Sequence, residues 1–188
     1  MNLVAQQRWR SLTDGGAEYA SLWRAASGYR LEGMAIRFAG GLWRLDYHVL
    51  LNDAWFTREA VVRWFHAGDS GTVGLSRDDT GRWSRDGAPD DTLAGCTDVD
   101  FGFSPVTNLM PVRRLGRGAG ASVEVHAAWL VFPALEIRPA RQTYTRKSAA
   151  TVLYESASGF STEITVGESG FADEYPGLWT GRDHAGEI

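Results

Sequence analysis

Leu42-Trp43-Arg44-Leu45-Asp46-Tyr47-His48-Val49-Leu50-Leu51 is the stretch whose pattern decides the fold class. Trp43, Leu45, Tyr47, Val49 and Leu51 fall on one side of an extended chain, and Arg44, Asp46, His48 and Leu50 fall on the other. A period of two is the mark of a strand with one buried face, because apolar positions on a helix recur every three to four residues instead. Gly40-Gly41, just before, reads as a turn.

The pattern continues outward. Toward the N-terminus, Gly28 opens an extended run over 29–38, and Tyr19, Ser21 and Trp23 share one face of an earlier one. Toward the C-terminus, 55–65 and 72–77 read as strands, and Asp78-Asp79-Thr80-Gly81 makes a tight turn into Arg82-Trp83. Residues 84–98 are charged and carry Gly87, Pro89 and Gly95, so they read as a loop, and 98–103 is extended again. Strands resume at 121–132, 134–146, 150–156 and 160–166, with a last one over 170–175. One segment breaks the rhythm. Ser104-Pro105 is a good helix start, Val106, Leu109, Met110 and Leu115 follow at near-helical spacing, and Gly116 is a plausible stop. Pro111 lacks an N–H and should kink or split that helix. The expectation is one domain over 1–188, mainly β, with one short helix within 104–116.

Composition narrows the function. Of 188 residues, 12% are aromatic, including eight Trp, which gives a sheet large side chains for a core or a cavity wall. The formal net charge of −4 is the wrong sign for a basic nucleic-acid face. The single cysteine, Cys96, excludes a disulfide scaffold and fits a reducing compartment. The longest apolar run, 127–135, is well short of the roughly 20 residues a membrane span needs. Residues 1–10 show no basic stretch followed by an apolar one, as a secretory leader would. A cytoplasmic protein without a transmembrane segment is expected.

The most distinctive run is Leu93-Ala94-Gly95-Cys96-Thr97-Asp98-Val99-Asp100-Phe101-Gly102-Phe103-Ser104-Pro105-Val106-Thr107-Asn108-Leu109-Met110-Pro111-Val112-Arg113-Arg114-Leu115. It resembles the hallmark of the putative glycolipid-binding family. Asp79-Thr80-Gly81-Arg82-Trp83, Ala127-Ala128-Trp129-Leu130-Val131-Phe132-Pro133, Tyr144-Thr145 and Asp173-Glu174-Tyr175-Pro176-Gly177-Leu178-Trp179 extend the match over nearly the whole chain. The resemblance implies a large, strongly curved antiparallel sheet, a half-open β-barrel, wrapped around one short central helix. It also implies a homodimer, an acidic pocket, a glycolipid ligand, and a fold similar to that of the lipoprotein localisation factors.

The residues themselves leave alternatives open. Asp98 and Asp100, two apart on an extended segment, point the same way. Two carboxylates so placed can accept several sugar hydroxyls, or can cap the helix and pair with Arg113 or Arg114. Those arginines could instead fork onto a phosphate or an acidic head group. Thr107 and Asn108 could meet a ligand or satisfy carbonyls freed by Pro111. Asp46 and His48 share a strand face, where a solvated polar pair is the plain reading. His66, His126 and His184 stand alone, so no metal set is assigned. Cys96 reads as a small buried residue, and Gly116-Arg117-Gly118-Ala119-Gly120 reads as a loop that lacks the ending of a phosphate loop. The candidate ligand set is Asp98, Asp100, Asn108, Arg113, Arg114, Asp46, Glu136, Tyr144 and Trp129. No catalytic residue and no cofactor are assigned. The alternatives are a glycoconjugate hydrolase, using Asp98 and Asp100 or one of them with Asp46 or Glu136 as acid and base, and a structural or partner-binding protein.

Overall fold

A computed structural model describes residues 1–183, and His184 lies outside the described residues. The first strands are β1 (Asn2–Ser11), β2 (Ala17–Arg24), β3 (Tyr29–Phe38), β4 (Leu42–Leu51), β5 (Thr57–His66) and β6 (Asp69–Arg77). Short strands β7 (Trp83–Arg85), β8 (Ala88–Pro89) and β9 (Asp98–Phe101) precede the helix α1 (Leu109–Leu115). Then come β10 (Ser122–Val131), β11 (Glu136–Arg146), β12 (Thr151–Ser156), β13 (Ser161–Val166), β14 (Ala172–Tyr175) and β15 (Trp179–Asp183).

All fifteen strands form one curved, unclosed sheet, in the order β8-β7-β6-β5-β4-β3-β2-β1-β15-β14-β13-β12-β11-β10-β9. The alternation along β4 holds: Trp43, Leu45, Tyr47, Val49 and Leu51 are buried, and Leu42 and Arg44 are exposed. The fold is mainly β with one short helix, as expected. The pairing is antiparallel except between β9 and β10, which run parallel, with Asp98 opposite Ala127 and Asp100 opposite Trp129. Parallel neighbours need a crossover rather than a hairpin, and the helical segment supplies it.

That segment starts and stops where the sequence places it. Ser104 Oγ accepts the Val106 N–H at 3.0 Å, a 3-10 turn covers Val106–Asn108, and α1 follows. The helical stretch is thus split, and Pro111 takes the third position of α1, where an amide has no intrahelical partner to lose. Gly116 ends α1 with φ +67, a left-handed conformation that costs glycine little. Two expectations need correction. Residues 84–98 are not a plain loop but contain the β7–β8 hairpin and a 3-10 turn at Asp91–Leu93. Strands β1 and β15 were not foreseen, and their pairing joins the two halves of the sheet.

Several contacts tie the helical crossover into the sheet's concave side. Glu18 on β2 is buried and accepts Tyr47 Oη and Ser104 Oγ, both at 2.5 Å, on one carboxylate oxygen. Tyr47 reaches Glu18 across Gly33, its partner in β3, because a Cβ there would strike the phenol. Arg37 donates to the Phe103 carbonyl at 2.5 Å and to Asp14 at 2.8 Å. At the sheet's β9 edge, Val99 N–H reaches Thr57 Oγ1 on β5 at 3.0 Å, so this edge rests against the opposite wall. No helix among the described residues is long and apolar enough to cross a membrane.

Candidate functional site

On β9, the alternation puts Asp98 and Asp100 toward the helical segment, where they meet different partners. Asp98 is 2% exposed and is held by both terminal nitrogens of Arg114, at 2.7 and 2.6 Å, and by Thr97 Oγ1 at 2.8 Å. Arg114 also donates to the Trp55 carbonyl at 2.8 Å. Its buried charge is therefore matched by a two-pronged ion pair.

Asp100 is partly exposed. Its two oxygens accept Thr107 Oγ1 at 2.8 Å and Gln142 Nε2 at 2.7 Å. Burial raises the pKa of its carboxyl, the bonds from Thr107 and Gln142 oppose the rise, and the nearby Asp98 charge adds to it. Beneath it, the buried Tyr144 hydroxyl shares its one proton between Asn108 Oδ1 at 2.7 Å and Gln142 Oε1 at 3.1 Å. Burial, with the negative charge at Asp100, pushes the Tyr144 phenol well above its ordinary range, so it stays a proton donor. Thr107, Asp100, Gln142, Tyr144 and Asn108 thus form one continuous hydrogen-bonded floor.

Above that floor opens a cleft of about 780 Å³. Asp100, Ser104, Asn108 and Gln142 supply part of its polar lining, with Ser156 and Ser158, and Trp129, Tyr154, Phe160, Tyr175, Leu178 and Trp179 most of its apolar wall. Tyr154, Phe160 and Tyr175 pack on one another, with Phe160 and Tyr175 nearly parallel at 12°. Arg37 lies over Trp179 at 4.6 Å. Arg138 and Arg141 also line the cleft. Gly102 is needed here, because a Cβ would crowd Trp129 Nε1 and the Leu130 carbonyl. Such a volume, lined by aromatics with a few convergent polar groups, has the dimensions of a small-molecule site.

The candidates from the sequence are distributed as follows. Asp100, Asn108 and Trp129 meet in the cleft, and Tyr144 supports them from below. Asp98 and Arg114 lie behind the floor, paired with each other. Arg113 points elsewhere, beside Gly170 and with its guanidinium 5.1 Å from the Trp55 ring. Asp46 is on the other face of the sheet, bonded to Arg44 at 3.0 Å, and its neighbour His48 bonds to Glu59 at 3.0 Å. Glu136 is exposed and ion-paired with Arg138. Cys96 is buried, and burial, with the charge of Asp98, pushes its thiol up to about 11. Gln142, Tyr154, Phe160 and Ser104 were not foreseen. Gln142 could have been: it shares a strand face with Tyr144, where a polar residue amid apolar ones asks for a partner.

The fold and cleft define a class: an open, curved β-sheet with a short helix on its concave side and an aromatic cleft beside the helix. Residues 6–181 match the family described as Putative glycolipid-binding, and the chain belongs to that family. A crystal structure of a DUF1089 family protein from Pseudomonas aeruginosa is similar at 33% identity and a TM-score of 0.77, covering 87% of this chain and 91% of that one. Comparison with curated proteins gave no match.

Proposed function

We propose that the chain binds a glycolipid, or a lipid-like amphiphile with a hydroxylated head group, in this cleft without transforming it. The observation that carries the reading is the meeting of a hydrogen-bonded polar floor with an aromatic wall in one cleft. Asp100, Asn108 and Gln142 would take sugar hydroxyls, and bonds to the ionised carboxylate are the stronger ones. Trp129, Tyr154, Tyr175 and Trp179 would take the apolar face of a sugar ring and the start of an acyl chain. The family description supports the same ligand class. Among the described residues Asp100 is the one acid that lines the cleft, whereas glycoside hydrolysis ordinarily needs two facing carboxyl groups. Binding is therefore preferred to hydrolysis.

The same proposal takes 1–188 as one domain and the protein as a cytoplasmic homodimer. Support for the dimer is the exposed outer-face group Phe38, Leu42 and Phe65, in which Phe38 and Leu42 are register partners. Titrating an alkyl glycoside against tryptophan fluorescence, beside the free sugar and the matching fatty acid, tests the ligand class. The amphiphile should bind more tightly than either part. Equal or weaker binding would refute the reading, and release of free sugar would favour the hydrolase.

A further inference from the structure

The C-terminal end of α1 holds a second, chemically different concavity. Arg113, Arg117 and Arg146 converge on a pocket of about 290 Å³, walled by Val112, Val166 and the backbone of Gly116, Gly167 and Gly170. Arg146 comes from β11 and is 3% exposed. It donates to the Val112 carbonyl at 3.3 Å and the Ala149 carbonyl at 3.4 Å, both long bonds, and its Nε is buried without a partner. Arg113 makes no hydrogen bond to the described residues, and its Nε is likewise buried and unpartnered. Arg117, on the loop after α1, donates to the Glu168 carbonyl at 3.2 Å. Among the described residues, none of the three is ion-paired, and the exposed Glu168 is the one carboxylate at the pocket.

Arginines at the end of a helix offset its free carbonyls and its dipole. That accounts for Arg146 on Val112 but leaves Arg113 with the face of the Trp55 ring, at 5.1 Å, and no hydrogen-bond acceptor among the described residues. Three guanidinium groups crowded together also repel one another, and a buried cation without a counter-charge is costly. Burial depresses the pKa values of Arg113 and Arg146, the Arg117 charge adds to both, and Tyr29 opposes the fall at Arg113. The group this arrangement lacks is a compact, multiply charged oxyanion, onto which guanidinium forks fit with two bonds each. Gly170, at φ +89, keeps the approach to Arg113 open, since a Cβ there would crowd Arg113 Nε.

We propose that Arg113, Arg117 and Arg146 form a binding site for a phosphate-type oxyanion, either free or carried on a lipid head group. The site lies at the opposite end of the helical segment from the aromatic cleft and is independent of it. Calorimetric titration with inorganic phosphate and with pyrophosphate, in chloride buffer of constant ionic strength, tests the first source. Co-sedimentation with phosphatidylcholine vesicles, with and without phosphatidic acid, tests the second. Saturable binding in either arm is expected, and R117Q and R113Q should each weaken it by at least about tenfold. R117Q changes an exposed side chain, so it keeps the test valid should R113Q fold poorly. Alkyl glycoside binding in the cleft should be unchanged in R117Q, which separates failure of this site from failure of the cleft. Binding in neither arm would overturn the proposal, as would binding that R117Q and R113Q leave intact.

Discussion

Arg114 grips Asp98 through two near-equal hydrogen bonds, of 2.7 and 2.6 Å, with Asp98 2% exposed. The pair fixes α1 to β9, and neither charge can return to water without opening the structure. Breaking such a pair from one side strands the other charge. Asp98→Asn should therefore destabilise the protein by about 3 kcal/mol, with Arg114→Gln of similar size. The double variant should lose less than the sum, because neither partner is then left alone. Urea unfolding of the four proteins measures this, and strictly additive losses would show that the two side chains do not act as a pair.

Asp100, two residues on, should behave differently. Asn at this position still accepts the Thr107 hydroxyl but turns its amide nitrogen toward the Gln142 Nε2 donor, so Asp100→Asn should cost about 1–2 kcal/mol, less than Asp98→Asn. Alkyl glycoside affinity should fall by roughly 1–3 kcal/mol, the range for hydrogen bonds to a charged group. Because burial raises the Asp100 pKa, wild-type affinity should begin to fall, as pH is lowered, earlier than an ordinary carboxylate would dictate. The variant should lack that dependence. Affinity unaltered by both pH and substitution would remove Asp100 from the site.

Glu18 sets a pH dependence of stability. Burial pushes its carboxyl up to about 7 from an ordinary 4.5, against the hydrogen bonds from Ser104 and Tyr47 and the charge of Arg37. Below 4.5 the folded and unfolded chains both hold the proton. As pH rises from 4.5 to 7 the unfolded chain releases it first, so stability declines across that window and levels off above it. The loss is about 3 kcal/mol at the upper end. Glu18→Gln cannot titrate, so its stability relative to wild type should rise by about that amount between pH 4.5 and 7.5. Parallel stability curves for the two proteins would contradict the assignment.

Gly33 is a steric requirement rather than a flexible joint. A Cβ there would collide with the Tyr47 hydroxyl and the Tyr19 carbonyl. Gly33→Ala should push Tyr47 off Glu18 and cost about 1–3 kcal/mol, the usual scale of overpacking. Adding Tyr47→Phe should then cost much less than it does in the wild type, since the bond it removes is already lost. Thermal melts of the three variants decide the matter, and a Gly33→Ala protein as stable as wild type would refute it.

How far the sequence reveals this molecule depends on where its signals are local. The alternation of β4 and the Ser104, Pro105 and Gly116 punctuation of the helical segment are local, and they placed those elements correctly. Strand β1 was hidden because its inward positions include Gln7 and Ser11 among Ala5 and Trp9, which breaks the apolar pattern. Gln7 is nonetheless satisfied, its side chain donating to Asp173 at 3.0 Å. In the site, Asp100 and Asn108 stood out because they lie close together in one motif. Tyr154, Phe160 and Trp179 reach the same cleft only through the pairing of β11 to β15, which no local pattern encodes. Arg113 and Arg114 are adjacent in sequence yet serve different places, because successive side chains on a helix diverge by a wide angle.

Native mass spectrometry tests the central claim most directly. The protein would be incubated with glycolipid-containing vesicles, freed of them and compared with Ala140→Trp, which fills the cleft from β11 without touching Asp98 or Glu18. The account predicts a glycolipid adduct on the wild type and none on Ala140→Trp, with both proteins melting at the same temperature. No adduct on the wild type, or an equal adduct on both, would contradict it.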